Sequence, residues 1–196
     1  AAIEHYQKSV ELKPNYATAY NNLGLIFFKL GKLAEFENYD QEALKLDKNH
    51  VNTHFGLAPI LLKQGNFIQG FDKYEWRYQL QDYTTRNFAQ PVWDGLDFTS
   101  KTLLVYTEQD LGDSIQFIRY IPLVKNLGGR VIVGCNKAGL QSLLTTVLGI
   151  DELFIMGEKS PDFDLQIPLI SLPLIFQTTL ETIPTEIPYL SVPKSV

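Results

Sequence analysis

The chain has 196 residues, 45% of them hydrophobic and 20% charged, with a formal net charge of -5, an ordinary globular composition with room for one large domain or two small ones. Neither a membrane span nor nucleic-acid binding is expected: no apolar run approaches the ~20 residues that cross a bilayer, and an acidic chain without a basic stripe is a poor candidate for binding a nucleic-acid backbone, where Lys and Arg supply most of the affinity. The single cysteine, Cys135, permits no internal disulfide and fits a reducing, cytoplasmic setting.

The opening AAIEHYQKSV lies inside an amphipathic pattern and carries neither an initiator Met nor a signal-peptide pattern, so a fragment of a longer protein is expected. Residues then recur at an offset of 34: Leu12 with Leu46, Asn15 with Asn49, Leu23 with Leu57, Gly31 with Gly65. A period in this range marks stacked helical repeats. Tyr20, Leu23 and Phe27 are three and four apart and share one helical face. Gly24 and Ala43 are small enough for paired helices to approach closely, and Gly31 suits a helix end. With Pro14 ahead of it, PNYATAYNNLGLIFFKLGKLAEFENYDQEALKLDKN resembles a tetratricopeptide repeat. The repeat region, 1–81, reads as half a unit (1–13), a full unit (about 17–47) and a divergent last unit (about 51–81). Phe36 stands where such a repeat usually has Ala, Asp40 where it has an aromatic, Lys48 where it has Pro, and His54 where Tyr20 stood; a terminal unit caps the stack and drifts more freely. The resemblance implies a concave groove in which Asn21 and Asn22 hydrogen-bond a peptide or protein partner. The plainer reading leaves both solvated.

Residues 82–101 carry Pro91, Gly95 and turn formers without a helical or strand period and read as a linker, with Trp93 as an anchor to one domain. Then the pattern changes. TLLVY (102–106) is a short β-rich run, and a helix is expected from about Asp113 to Asn126, bent or re-formed near Pro122. GGRVIVGC is a second strand, KAGLQSLLTTVLG a second helix, DELFIM a third strand and FDLQIPL a fourth. This alternation predicts an α/β, Rossmann-like lobe with a parallel sheet over 102–196, following the α repeat region. Right-handed crossovers bring the loops after each strand to one edge, where open sheets bind ligands; the first such loop is TEQDLGD.

Neither a dinucleotide fingerprint nor a P-loop is present. The loop after the first strand has one glycine, Gly112, and is acidic and bulky, unlike the bare backbone that approaches a phosphate. His50 and His54 are four apart, but no third ligand has suitable spacing, so a packed pair and no metal are expected. Asp113 follows Gly112 at a helix start. It reads either as a first-turn acid favoured by free N–H groups and the helix dipole, or as a general base facing a cleft, with Glu108 as a nearby like charge. Gln116, Phe117 and Tyr120 share its face, and the helix is expected to direct Asp113, Gln116 and Tyr120 outward. Ile115, Ile118 and Pro122 take the opposite side, against the sheet.

Six ordered motifs, FIQGFDKYEWRYQL, QPVWDG, KTLLVYTEQDLGDSIQFIRYIPLV, GGRVIVGCNKAGLQSLL, FDLQIPLISLP and TIPTEIPYL, together resemble bacterial repeat-containing glycosyltransferase-like proteins. These join tetratricopeptide repeats to a domain similar to the heptosyltransferases and, more distantly, the protein O-GlcNAc transferases. The resemblance implies the N-terminal, acceptor-side lobe of a two-lobed GT-B fold. It implies Asp113 as the catalytic base, with Glu108, Gln109, Gly112, Gln116 and Tyr120 in the acceptor-side loop and helix. Relatives read E-Q-G-L-G-D; here Asp110 replaces the first of those glycines and alters the loop's shape and charge. The resemblance also implies a nucleotide-sugar donor, held mainly by a C-terminal lobe of the same chain. No second Rossmann half follows PYLSVPKSV, so residues 1–196 alone are expected to hold no cofactor and to turn over no substrate. The competing expectation is a non-catalytic scaffold that binds proteins through its repeats.

Overall fold

The computed structural model describes residues 2–84, 86–108 and 110–192, and the chain divides into two units, residues 1–85 and 86–196. The first unit is built from α1 (Ala2–Leu12), α2 (Ala17–Lys29), α3 (Leu33–Leu46), α4 (Val51–Lys63) and α5 (Phe67–Tyr74), and closes in a 3-10 helix, Glu75–Gln79. α2 packs on α3, and α4 on α5. Both turns use the same device. Gly31 and Gly65 take φ of 75° and 80°, a region open to glycine without strain. The turns then satisfy free helix-end carbonyls identically: Lys32 N–H donates to the Phe27 carbonyl and Asn66 N–H to the Leu61 carbonyl, each at 2.9 Å. In the first hairpin, Ala17, Ala19, Asn21, Leu23 and Gly24 of α2 are buried, as are Phe36, Asp40 and Ala43 of α3.

The second unit holds a four-stranded parallel sheet of β1 (Thr102–Tyr106), β2 (Arg130–Cys135), β3 (Glu152–Ile155) and β4 (Leu165–Pro168), in the order β3-β2-β1-β4. Leu104 of β1 lies beside Ile132 of β2 and Gln166 of β4. Between β1 and β2 run α6 (Leu111–Phe117), a 3-10 turn (Ile118–Tyr120) and α7 (Ile121–Lys125); α8 (Gln141–Leu144) lies between β2 and β3, and α9 (Leu172–Ile175) follows β4. The two helical connections step the same way across the sheet, so right-handed crossovers lay them on one face. On the other face Leu104, Tyr106, Ile132 and Phe154 form a core packed by Phe88, Met156 and Phe163. The helix expected from about Asp113 starts at Leu111 and re-forms at α7 with Pro122 in its first turn, where a missing N–H costs nothing.

The segment read as a linker divides instead at residue 85, and 86–101 belongs to the second unit. Val92 bridges Gln166 in parallel. Trp93 N–H donates to the Gln166 carbonyl at 2.9 Å, and Gln166 N–H donates to the Pro91 carbonyl at 3.1 Å. The Trp93 side chain is 2% exposed, donates its indole N–H to the Leu96 carbonyl at 2.8 Å, and meets Phe98 edge-on. A few aromatic anchors hold this stretch rather than a repeating face, which is why no period marks it.

Candidate functional site

The strand order reverses between β1 and β4, and in open α/β sheets the crevice outside such a switch point is where ligands bind. The loop leaving β1 is braced from its other side, by the end of β2. Thr107 is buried; its N–H donates to the Gly134 carbonyl at 2.9 Å, and its hydroxyl accepts from Asn136 N–H at 2.8 Å. The Asn136 side-chain amide donates to the Glu108 carbonyl, and its oxygen accepts from Arg86. Asp110 then takes extended backbone at the start of α6, and its carbonyl accepts both Ser114 N–H at 3.2 Å and the Ser114 hydroxyl at 3.0 Å. Asp113 is the acid of the first turn of α6 and is half-buried. Gly112 and Gln116 are exposed. A Cβ added at Gly112 would meet nothing within 4 Å, so the chain's own packing does not demand glycine there.

The structure therefore gathers Glu108, Gly112, Asp113 and Gln116 on one loop and helix start at the C-terminal end of β1. Gln109 lies outside the described residues. Tyr120 does not join them and corrects the outward-facing expectation: it is 3% exposed, and its hydroxyl pairs with the Thr178 hydroxyl at 3.0 Å. Burial pushes its phenol up, against the Thr178 bond and the nearby Arg119. The physical reason is the 3-10 turn at Ile118–Tyr120. Three residues per turn eclipse i with i+3, so Phe117 and Tyr120 fall on one side and both are buried. Sequence reasoning missed Thr107, Asn136 and Arg86; the available signal was a polar residue placed directly after each of the first two strands. A carboxylate in the first turn of a helix, next to open backbone, can accept a proton or a hydrogen bond from an approaching hydroxyl. Among the described residues no group of three or more His, Cys, Asp or Glu could hold a metal ion.

In the repeats, Asn22 is half-buried, but Asn21 is 1% exposed and lines no open groove. This corrects the peptide-binding assignment for Asn21. It lies three residues before Gly24, on the face of α2 that meets Asp40 and Phe36 of α3. Asp40 is also 1% exposed, and burial pushes its carboxyl up to about 7, opposed by the Asn21 amide. His50 is held by two hydroxyls, Thr18 at 3.2 Å and Thr53 at 2.7 Å, and burial lowers its pKa. His54 donates to the Lys48 carbonyl at 2.8 Å and stacks on Trp76 with ring centres 3.9 Å apart. An open groove of about 550 Å³ in the same unit is lined by Asp47, Asn49, His50, Asn52, Gln79 and Asp82, among others. Among the described residues no helix is long and apolar enough to cross a membrane.

Comparison with known proteins matches a TPR repeat to residues 1–31 and a tetratricopeptide repeat to residues 17–50. The helical unit thus contains tetratricopeptide repeats, a class whose stacked units form concave binding surfaces. The chain is similar to Protein FlbA of Caulobacter vibrioides, 31% identical over 134 residues, which cover 65% of this chain and 22% of FlbA. It is also similar to a solved mutant O-GlcNAc transferase from Thermobaculum terrenum, at 15% identity and a TM-score of 0.34, over 77% of this chain and 36% of that one. The chain thus spans 22% of the length of the curated relative it matches.

Proposed function

We propose that residues 1–196 form the repeat region and acceptor-side lobe of a cytoplasmic, bacterial sugar-transferring protein of the heptosyltransferase-like GT-B group. The repeats hold a protein partner, and the ligand edge of the sheet receives the acceptor hydroxyl. The observation that carries this reading is Gly112-Asp113 in the first helical turn after β1, beside the β1/β4 reversal of an all-parallel sheet. In that role the acceptor oxygen bonds to the donor's anomeric carbon, and the nucleotide leaves with the electron pair of the broken C–O bond. The acceptor proton passes to the Asp113 carboxylate. A nucleotide-sugar donor is held mainly by a second lobe of the same protein.

The test uses the natural full-length protein and a panel of nucleotide sugars. Asp113→Asn lowers transfer by about 10²–10⁴-fold with an unchanged melting temperature; equal turnover removes Asp113 from catalysis. Residues 1–196 alone give no turnover, and measurable transfer by them overturns the division of labour between lobes. One observation favours a second reading, a protein-binding scaffold: Asp110 places an exposed carboxylate where related loops have glycine. Absence of transfer by the full-length protein with every donor, alongside a retained protein partner, selects the scaffold.

A further inference from the structure

Positions 21 and 40 of the first hairpin correspond, 34 residues on, to 55 and 74 of the second. The second hairpin closes there with an aromatic pair, Phe55 and Tyr74, ring centres 5.5 Å apart. The first closes with an amide and an acid. Asp40 is wedged against α2: a Cβ on Gly24 would lie 2.6 Å from Asp40 Oδ1 and 3.5 Å from the Phe36 ring. Both Asp40 carboxyl oxygens and Asn21 Nδ2 are buried without a well-formed hydrogen bond.

Among the described residues no cation compensates the acid. The influences on it are burial first and the Asn21 amide second. Titratable groups of the packed helices are engaged elsewhere or face solvent. On α1, Glu4, His5, Lys8 and Glu11 are exposed and Tyr6 is half-buried. On α2, Tyr20 donates to the Pro14 carbonyl and Lys29 is exposed. On α3, Tyr39 stacks on Phe27, Lys45 pairs with Glu42, and Glu35 pairs with Lys32, while Glu37 is exposed. Ahead of and on α4, His50 is held by Thr18 and Thr53, and His54 by the Lys48 carbonyl. An unpaired buried carboxylate is costly, whereas the neutral acid has one donor and one acceptor to offer an amide.

We propose that the α2–α3 hairpin is a proton-linked element: it carries Asp40 as the neutral acid and loosens when that acid ionises, while the α4–α5 hairpin has an aromatic pair in place of the acid and amide. The sign follows from the two states. The folded carboxyl titrates near 7 against an ordinary 3.8, so the folded form holds the proton more tightly. Stability is therefore fully present below the unfolded value, falls as pH rises through the window, and levels off above about 7.

The experiment is amide hydrogen exchange on residues 1–196, corrected for the intrinsic pH dependence of exchange. The opening constant of α3 amides rises about tenfold per pH unit between about pH 5 and pH 7 in the wild type, and stays flat in Asp40→Asn. A flat wild-type response, or an equal response in Asp40→Asn, overturns the proposal. Should Asp40→Asn fail to fold, the carboxyl-carbon NMR titration of wild-type Asp40 decides: a midpoint near neutrality supports the linkage, and one in the ordinary Asp range near 3.9 overturns it.

Discussion

Helices α2 and α3 carry Gly24, Phe36 and Asp40 where α4 and α5 carry Ala58, Gly70 and Tyr74. The large ring moves by one helical turn, from position 36 in one hairpin to the position equivalent to 40 in the other. The site it vacates takes a small residue or an acid. The anchoring hydrogen bond is kept while its residue changes: Tyr20 donates to the Pro14 carbonyl at 3.3 Å, and His54 donates to the Lys48 carbonyl at 2.8 Å, 34 residues on. A repeat thus preserves filled volume and satisfied backbone rather than residue type, as expected when packing tolerates volume-conserving exchange.

Four substitutions break or sharpen this comparison, each read by urea denaturation of the helical circular-dichroism signal. Phe36→Ala has the largest effect, about 3–5 kcal/mol, because Phe36 is 0% exposed and supplies the ring of the first hairpin; a loss below about 1 kcal/mol would show that its volume is not the counterpart of Tyr74. Gly24→Ala comes next, costing about 1–3 kcal/mol from overpacking on Asp40. In an Asp40→Ser background the same change should cost clearly less, and strict additivity would deny the contact. His54→Ala removes the bond to Lys48 and the stack on Trp76 for about 1.5 kcal/mol. Tyr20→Phe is the mildest, at about 0.5 kcal/mol, because its bond is exposed; a cost larger than that of His54→Ala would reverse the ranking of the two anchors.

The repeat period and the strand–helix alternation were legible in the sequence because both rest on local spacing. Gly31 and Gly65 announce the same turn, and TLLVY and RVIVGC are short apolar runs that become β1 and β2. The fate of Asn21 was not legible. The face defined by Tyr20, Leu23 and Phe27 leaves Asn21 outside it, yet a repeat helix is packed on more than one side, and α3 takes up the Asn21–Gly24 side. Tyr120 failed for a different reason: an α-helical count carried through Ile118–Tyr120 misses the change of phase in a 3-10 turn, and Thr178, the partner that satisfies its hydroxyl, is 58 residues away. Asp113 and Gly112 were locatable as a strand-end helix start. Their brace was not, because Thr107, Asn136 and Arg86 come together only when β1 and β2 pair.

The sequence by itself determined where helices and strands form, how the repeat turns, and that the lobe is a parallel α/β sheet, since periodicity and turn chemistry act over a few residues. The tertiary structure alone decided which polar side chains are buried, where residues 86–101 belong, and that Asp40 is buried beside Asn21 in the hairpin interface. Burial and partnership are set by residues distant in the chain, and no local pattern encodes them.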